Sequence, residues 1–416
     1  MKKIKLEHLS EKISGKIILP SSKSISNRAL VLRALSGENF KINNLSNARD
    51  TLKMLEILNN PDHNIINTGN TGTIMRFMTA FYAIREGEWD ILGSERMKQR
   101  PIKNLVNALQ SFGADIEYIG QEGFPPLHIK GKPLIGGKCK VDATVSSQYI
   151  SALLMIAPML KNGLEMELIG EPISFPYIKM TLKMLEYFGV KVSVKGKHIY
   201  IAPQKIVPRE LTVEADWSAA SYLYSVAALN NEVDIELPGL REESWQGDAI
   251  VAELMAPFGV ETIYNKKSIN IFHTKRKIKQ FNYNFKAHPD LAPTFAVLCT
   301  AFDIPFTFEG IYALRIKESD RVEALTQQLA KLNTKIESDE NQITGTPFKQ
   351  PLFEDNLIRT YSDHRIVMSF APLLCSKPGL MIEDPDVVDK SYPEFWNDFE
   401  KIGIKCRYAI QTAYGR

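Results

Sequence analysis

The stretch that decides the fold is "TLKMLEYFGVKVSV", residues 181–194. Leu182, Met184, Leu185 and Phe188 recur at helical spacing, Gly189 follows, and then Val190, Val192 and Val194 alternate with polar residues. Such a run predicts an amphipathic helix, a left-handed glycine cap and a half-buried strand. The same signature returns at "LVNALQSFGADIEYI" from Leu105, "VAELMAPFGVETIY" from Val251, "EALTQQLAKLNTKIES" from Glu323 and "FWNDFEKIGIKCRY" from Phe395. The cap positions are Gly113, Gly189, Gly259, Asn333 and Gly403, separated by 76, 70, 74 and 70 residues. A sixth copy is expected at "TLKMLEILNN" with Asn59 as cap; it lies only 54 residues before Gly113, so that module is expected to be truncated. A period this long, with helix and strand in each copy, predicts repeated α/β modules rather than a solenoid.

The 416-residue chain exceeds one ordinary core, so two domains of three modules each fit its length. A net charge of +3, without basic runs, gives no support to nucleic-acid binding. No apolar run is long enough to span a bilayer, and "MKKIKLEHLS" lacks the apolar core of a secretory signal. Cys139, Cys299, Cys375 and Cys406 show no CxxC spacing and no neighbouring His, so reduced thiols in a cytoplasmic protein are expected, and no zinc site.

Polar residues gather where apolar helices begin. "LPSSKSISNRAL" (19–30) places Lys23, Ser24 and Arg28 in the first turns of a buried helix, where free amides and the helix dipole favour an anion. "NTGNTGTIMRFM" (67–78) is Gly-rich, and "SERMKQRPI" (94–102) gathers Arg96, Lys98 and Arg100. "TVSSQYISALLM" (144–155), "RIKESDRVEAL" (315–325), "YSDHRIVMSF" (361–370) and "VVDKSYPEFW" (387–396) continue the pattern. Each alone reads as a cap or a solvated face. Together, spread over both halves of the chain, they point to anionic ligands bound by two domains.

"LPSSKSISNRAL", "GNTGTIMR", "RMKQRPI", "VSSQYISALLM", "HPDLAPT", "RIKESDR", "SDHR" and "DKSYPEFW" resemble, in order and over essentially the whole chain, the motifs of the EPSP synthase family, the 5-enolpyruvylshikimate-3-phosphate synthases. The resemblance implies an inverted α/β prism of two domains, each of three βαβαββ units. The first domain would hold residues 21–215, the second 1–20 and 216–416, with the active site in the cleft between them. It also implies transfer of the enolpyruvyl group from phosphoenolpyruvate to the 5-hydroxyl of shikimate-3-phosphate, on the route to chorismate and aromatic amino acids. No cofactor or metal is expected, and no nucleic-acid or membrane partner; the protein is expected to be a monomer.

By the same resemblance Ser24, Arg28, Ser146, Ser147, Gln148, Ser174, Tyr177, Asp290 and Lys317 would bind shikimate-3-phosphate. Lys23, Gly72, Arg100, Gln148, Arg321, Arg365 and Lys390 would bind phosphoenolpyruvate. Asp290 and Glu318 would be the acid–base pair, supported by Lys23 and His364, with Asp216 a further candidate. Such cations matter most in a water-poor site. A unit-charge pair at about 4 Å gains roughly 1 kcal/mol in water but about 4 kcal/mol at an effective dielectric near 20.

Two positions depart from the family pattern. Ala313 stands where Asn is frequent, and Thr71 where a smaller Ala is common, beside the glycine crowded by the inhibitor glyphosate. The sister UDP-N-acetylglucosamine enolpyruvyl transferases use a loop Cys, and the matching segment here, "GSERMKQRP" (93–101), has none. A non-catalytic binder of phosphorylated metabolites is the other alternative; the presence of Lys23, Asp290 and Glu318 speaks against it.

Overall fold

A computed structural model describes residues 2–8, 12–60, 63–348, 356–377 and 379–410. One module shows the plan. Strand Gly137–Asp142 leads to helix Ser147–Ile156, strand Leu164–Ile169, helix Phe175–Tyr187 and the hairpin of Val192–Lys195 with His198–Ile201. The first two strands are parallel, in register from Gly137↔Leu164 to Asp142↔Ile169. The last strand of the hairpin then pairs antiparallel with the second, so the sheet order is first, second, fourth, third. Among the described residues five four-stranded sheets share this order.

The hairpins follow the glycine signature. Gly113, Gly189, Gly259 and Gly403 have φ of +94°, +77°, +87° and +90°, and Asn333 has +62°. At Gly259 a Cβ would also lie 2.5 Å from the Thr274 carbonyl oxygen, so close approach adds to the demand for glycine. Asn59 differs. It is the last residue of helix Arg49–Asn59 and is not left-handed. The Asn60 side chain donates to the Glu56 carbonyl at 2.9 Å, closing the helix through a side chain. No hairpin of its own follows; Ile65–Asn67 already begins the next sheet. The truncated module is accordingly the two-stranded sheet Ile42–Asn43 with Leu211–Thr212.

Chain ends complete the repeat. Lys2–His8 is the fourth strand of the last sheet, paired with Met381–Glu383 and Ile404–Ile410. Lys12–Lys16 supplies the first strand beside Glu232–Pro238. Contacts divide the chain into two compact units. The first holds Lys23–Ser46 and Asp50–Val213; the second holds Met1–Ser22, Asn47–Arg49 and Glu214–Arg416.

The two helices of a module differ in kind. The trailing helix is amphipathic: Lys103–Ser111 buries Leu105, Val106, Ala108 and Leu109 and exposes the rest of its face. The leading helix is buried almost all round. Gly72–Ala83 buries all but Thr73, and Ser147–Ile156 all but Gln148. In the first unit Lys23–Ser36, Gly72–Ala83 and Ser147–Ile156 pack on one another. In the second, Trp217–Leu229, Ala292–Ala301 and His364–Ser376 do the same. At roughly 1.5–3 kcal/mol for each large apolar side chain buried, these helices dominate the two cores. Their first turns, where the free amides lie, are where polar side chains emerge.

Among the described residues no helix is long and apolar enough to cross a membrane. Cys139, Cys299 and Cys406 are free thiols; the side chain of Cys375 lies outside the described residues.

Candidate active site

In the first unit the candidate residues form three groups at leading-helix starts. The first is the Gly72 cradle. A Cβ on Gly72 would lie 2.6 Å from Arg100 Nη2 and 3.0 Å from Gln148 Oε1, so the bare backbone lets both side chains close over the helix start. Arg100 is buried and donates to the Asn70 carbonyl at 3.2 Å. Ser146 caps its helix by accepting from the Gln148 amide at 3.2 Å, beside buried Ser147; Gln148 Nε2 reaches Thr73 Oγ1 at 3.4 Å.

The second group surrounds Arg28. Its Nε donates to Thr181 Oγ1 at 2.7 Å, Nη1 to the Ser24 carbonyl at 2.9 Å, and Nη2 to Ser151 Oγ at 3.0 Å and the Tyr177 carbonyl at 3.4 Å. Phe77 and Tyr177 rings flank the guanidinium at 5.3 and 5.9 Å. Burial lowers the Arg28 pKa to about 10, with Tyr177 opposing, so the group stays charged at neutral pH. Ser174, buried and left-handed at φ +52°, turns the chain into the Tyr177 helix.

In the third group Lys23 Nζ lies 3.1 Å from Asp50 Oδ2, while Asp50 Oδ1 accepts from Thr71 Oγ1 at 2.6 Å. Lys23 and Arg28 therefore turn to different partners, as five residues of helix rotation require.

The second unit holds a denser cluster. Asp290 Oδ1 accepts from Arg321 Nη1 at 2.9 Å and Oδ2 from Arg365 Nη2 at 2.8 Å; Lys317 Nζ is 3.7 Å from Oδ1. Glu318 accepts from Arg321 Nη2 at 3.0 Å and from Lys390 Nζ at 3.1 Å. Arg321 is clamped from behind by Asp363, with Nε donating at 2.8 Å and Nη2 at 3.2 Å. Asp363 caps the next helix through the Arg365 amide at 3.0 Å and also accepts from Ser319 Oγ at 2.9 Å. His364 is buried with Nδ1 3.7 Å from Asp363. Four cations, Lys317, Arg321, Arg365 and Lys390, thus gather around Asp290, Glu318 and Asp363, a concentration of positive charge suited to an anion.

This electrostatics sets protonation. Burial alone would push Asp290 up, but Arg365, Lys317 and Arg321 outweigh it and hold the carboxyl well below the usual range. Burial opposes the charge on Arg321, yet Asp363, Glu318 and Asp290 raise its pKa and keep it charged. The Tyr222 hydroxyl accepts from Arg365 Nη1 at 3.3 Å; burial lifts the phenol to about 12.

Within each unit the expected residues meet: Gly72 with Arg100 and Gln148, Arg28 with Ser24 and Tyr177, and Asp290 and Glu318 with all four cations. Asp216 caps helix Trp217–Leu229 by accepting from the Ala219 amide at 3.0 Å. Ala313, a buried residue of the short Tyr312–Arg315 helix, offers no side-chain hydrogen bond. Asp50 and Tyr222 were not expected from the sequence, and Asp363, legible there as a helix opener, was not expected as the Arg321 clamp. Asp363 carries one signal, an acid at the start of an apolar helix, whereas Asp50 opens an amphipathic helix with an exposed face and carries none. Burial also lifts the thiols of Cys139 and Cys406 to about 12, far from nucleophile range.

A family model of EPSP synthase (3-phosphoshikimate 1-carboxyvinyltransferase) matches residues 8–60 and 58–399. The 3-phosphoshikimate 1-carboxyvinyltransferase of Bacteroides fragilis (strain YCH46) is 44% identical over 396 residues, covering 94% of this chain and 96% of that protein. That of Haemophilus influenzae (strain Rd) is 36% identical over 441 residues, covering 97% and 100%. The 2.37 Å structure of EPSP synthase from Acinetobacter baumannii superposes with a TM-score of 0.78 at 20% identity, covering 99% of this chain and all of that one. That likeness carries the fold, the two-domain inverted α/β prism. With matched motifs, fold and relatives in agreement, the chain belongs to the EPSP synthase family, the 3-phosphoshikimate 1-carboxyvinyltransferases.

Proposed function

We propose that this chain performs its family's transfer with the residues clustered above. The 1-carboxyvinyl group passes from phosphoenolpyruvate to the 5-hydroxyl of shikimate-3-phosphate, and phosphate is released. The observation that supports the reading most is Asp290, held between Arg321 and Arg365 while Glu318 shares Arg321 with Lys390.

In the first step the 5-hydroxyl oxygen bonds to C2 of the enol, Asp290 takes the hydroxyl proton, and Glu318 delivers a proton to C3. A tetrahedral ketal results. In the second step C3 returns a proton to Glu318, the double bond re-forms, the C2–O bond to phosphate breaks, and the departing phosphate carries away the proton held by Asp290. Without substrate, the cations make Asp290 a weak base. A bound phosphate and carboxylate would draw Arg321, Arg365 and Lys390 toward themselves, relieve the two acids, and restore their basicity. The cluster couples donor binding to base strength.

Arg28, Ser24, Ser146, Ser147, Gln148, Ser174 and Tyr177 of the first unit, with Asp290 and Lys317 of the second, are proposed to bind shikimate-3-phosphate. Lys23, Gly72, Arg100 and Gln148, with Arg321, Arg365 and Lys390, are proposed to hold phosphoenolpyruvate. Lys23 and His364 support the acid–base chemistry. The two units are proposed to act as the domains 21–215 and 1–20 with 216–416. The enzyme is proposed to work as a cytoplasmic monomer. Phosphate release that requires both substrates tests the reading; none with either pair member omitted is the expected result.

A further inference from the structure

Asp50 sits in the first turn of helix Arg49–Asn59, only 5% exposed, and each of its oxygens has a different donor. Oδ2 faces the Lys23 ammonium at 3.1 Å and Oδ1 accepts from Thr71 Oγ1 at 2.6 Å. Thr71 occupies the N-cap position of the Gly72 helix, yet its hydroxyl makes no capping bond. A Thr at this position ordinarily accepts from the helix amides. Here the hydroxyl donates to the carboxylate instead, leaving the Gly72 amides uncapped from that side. All three residues belong to the first unit.

We infer that Thr71 is a positioning residue for the transfer: it holds the Asp50 carboxylate so that Lys23 can leave it for an incoming phosphate. The inference rests on the reading of Lys23 as a phosphoenolpyruvate ligand. A buried carboxylate that loses its cation must keep a donor or suffer the desolvation penalty. Thr71 is that donor. While Lys23 is paired, the hydroxyl fixes the carboxylate rotamer and so the starting place of the ammonium. When Lys23 turns to the anion, the hydroxyl stays and stabilises the carboxylate left behind. Without the hydroxyl, Asp50 competes with the substrate for Lys23. The loss should therefore appear as weaker use of phosphoenolpyruvate, with shikimate-3-phosphate spared.

The test is steady-state kinetics of the wild type, Thr71→Val, Thr71→Ser, Asp50→Asn and the Thr71→Val/Asp50→Asn pair. Thr71→Val keeps the shape and removes the donor. It should raise KM for phosphoenolpyruvate about tenfold or more, the size of a lost hydrogen bond to a charged group, and change KM for shikimate-3-phosphate less than threefold. Thr71→Ser should stay within about threefold of wild type in the ratio of the two KM values. In the Asp50→Asn background, Thr71→Val should add nothing further, because no buried charge is left to stabilise. An unchanged KM for phosphoenolpyruvate in Thr71→Val overturns the inference. So does an equal rise in both KM values, or a Thr71→Val effect of full size in the Asp50→Asn background. A wild type that turns over neither substrate overturns the proposed function and this inference with it.

Discussion

Arg321 and Asp363 form a doubly bonded, fully buried pair, Nε to Oδ2 at 2.8 Å and Nη2 to Oδ1 at 3.2 Å. The fork leaves Nη1 free to reach Asp290 and lets Nη2 also reach Glu318, so one clamped guanidinium sets the positions of both proposed acid–base groups. Asp363→Asn keeps the shape but leaves Arg321 with one carboxylate fewer in the interior. Losing one partner of a buried pair typically costs about 3–5 kcal/mol. Urea unfolding of wild type and variant should differ by that order; a difference below about 1 kcal/mol would mean that the pair is dispensable.

Glu318→Gln should keep substrate binding and lose turnover by about 10²–10⁴-fold. Arg321 and Lys390 donate to separate Glu318 oxygens, so the glutamine keeps the shape and one of the two bonds, but it cannot shuttle the C3 proton. Calorimetric binding together with single-turnover rates separates the two effects. A variant with more than half of wild-type turnover would remove Glu318 from the mechanism.

Lys23 and Arg28 share a helix start, yet Lys23 turns to Asp50 and Arg28 to Thr181 and Ser151. Lys23→Met should mainly raise the requirement for phosphoenolpyruvate and lower turnover. Arg28→Ala should mainly weaken shikimate-3-phosphate, by roughly 1.5–3 kcal/mol for a lost charged hydrogen bond. Titration of each variant with shikimate-3-phosphate alone decides it: equal losses in both would make the helix start a single anion site.

Asp248 supplies a pH signature. Burial, and then the Asp290 charge, push its carboxyl from 3.8 up to about 6. The folded chain therefore keeps this proton at pH values where the unfolded chain has released it. Its contribution to stability falls as pH rises from about 4 to about 6 and levels off above that. Two pKa units are worth about 3 kcal/mol. Asp248→Asn, which removes the titration while retaining an acceptor for Ser218, should gain on the wild type by about that amount between pH 4 and pH 7. Unfolding curves that shift in parallel for the two proteins would contradict the assignment.

Much of the fold was legible because the cap positions Gly113, Gly189, Gly259, Asn333 and Gly403 combine a local need for left-handed backbone with a strand beyond. Asn59 misled because the motif looks identical until its hairpin fails to follow; sequence near Asn59 does not reveal that the partner strand, Leu211–Thr212, lies about 150 residues away. The completion of the last sheet by Lys2–His8 is equally non-local. At the site, the cations were visible as clustered basic residues at helix starts. Asp50 and Tyr222 were not, and Asp363 was visible only as a helix opener, because what assigns all three is burial against those cations rather than any spacing of their own.

This chain is proposed to join phosphoenolpyruvate to shikimate-3-phosphate using Asp290 and Glu318. Continuous measurement of phosphate release tests it most directly, with both substrates, with each omitted, and with UDP-N-acetylglucosamine replacing shikimate-3-phosphate. Rapid release is expected with the two substrates together and none in the other mixtures, without added metal. No release from the complete mixture, or equal release with the UDP-sugar, would contradict it.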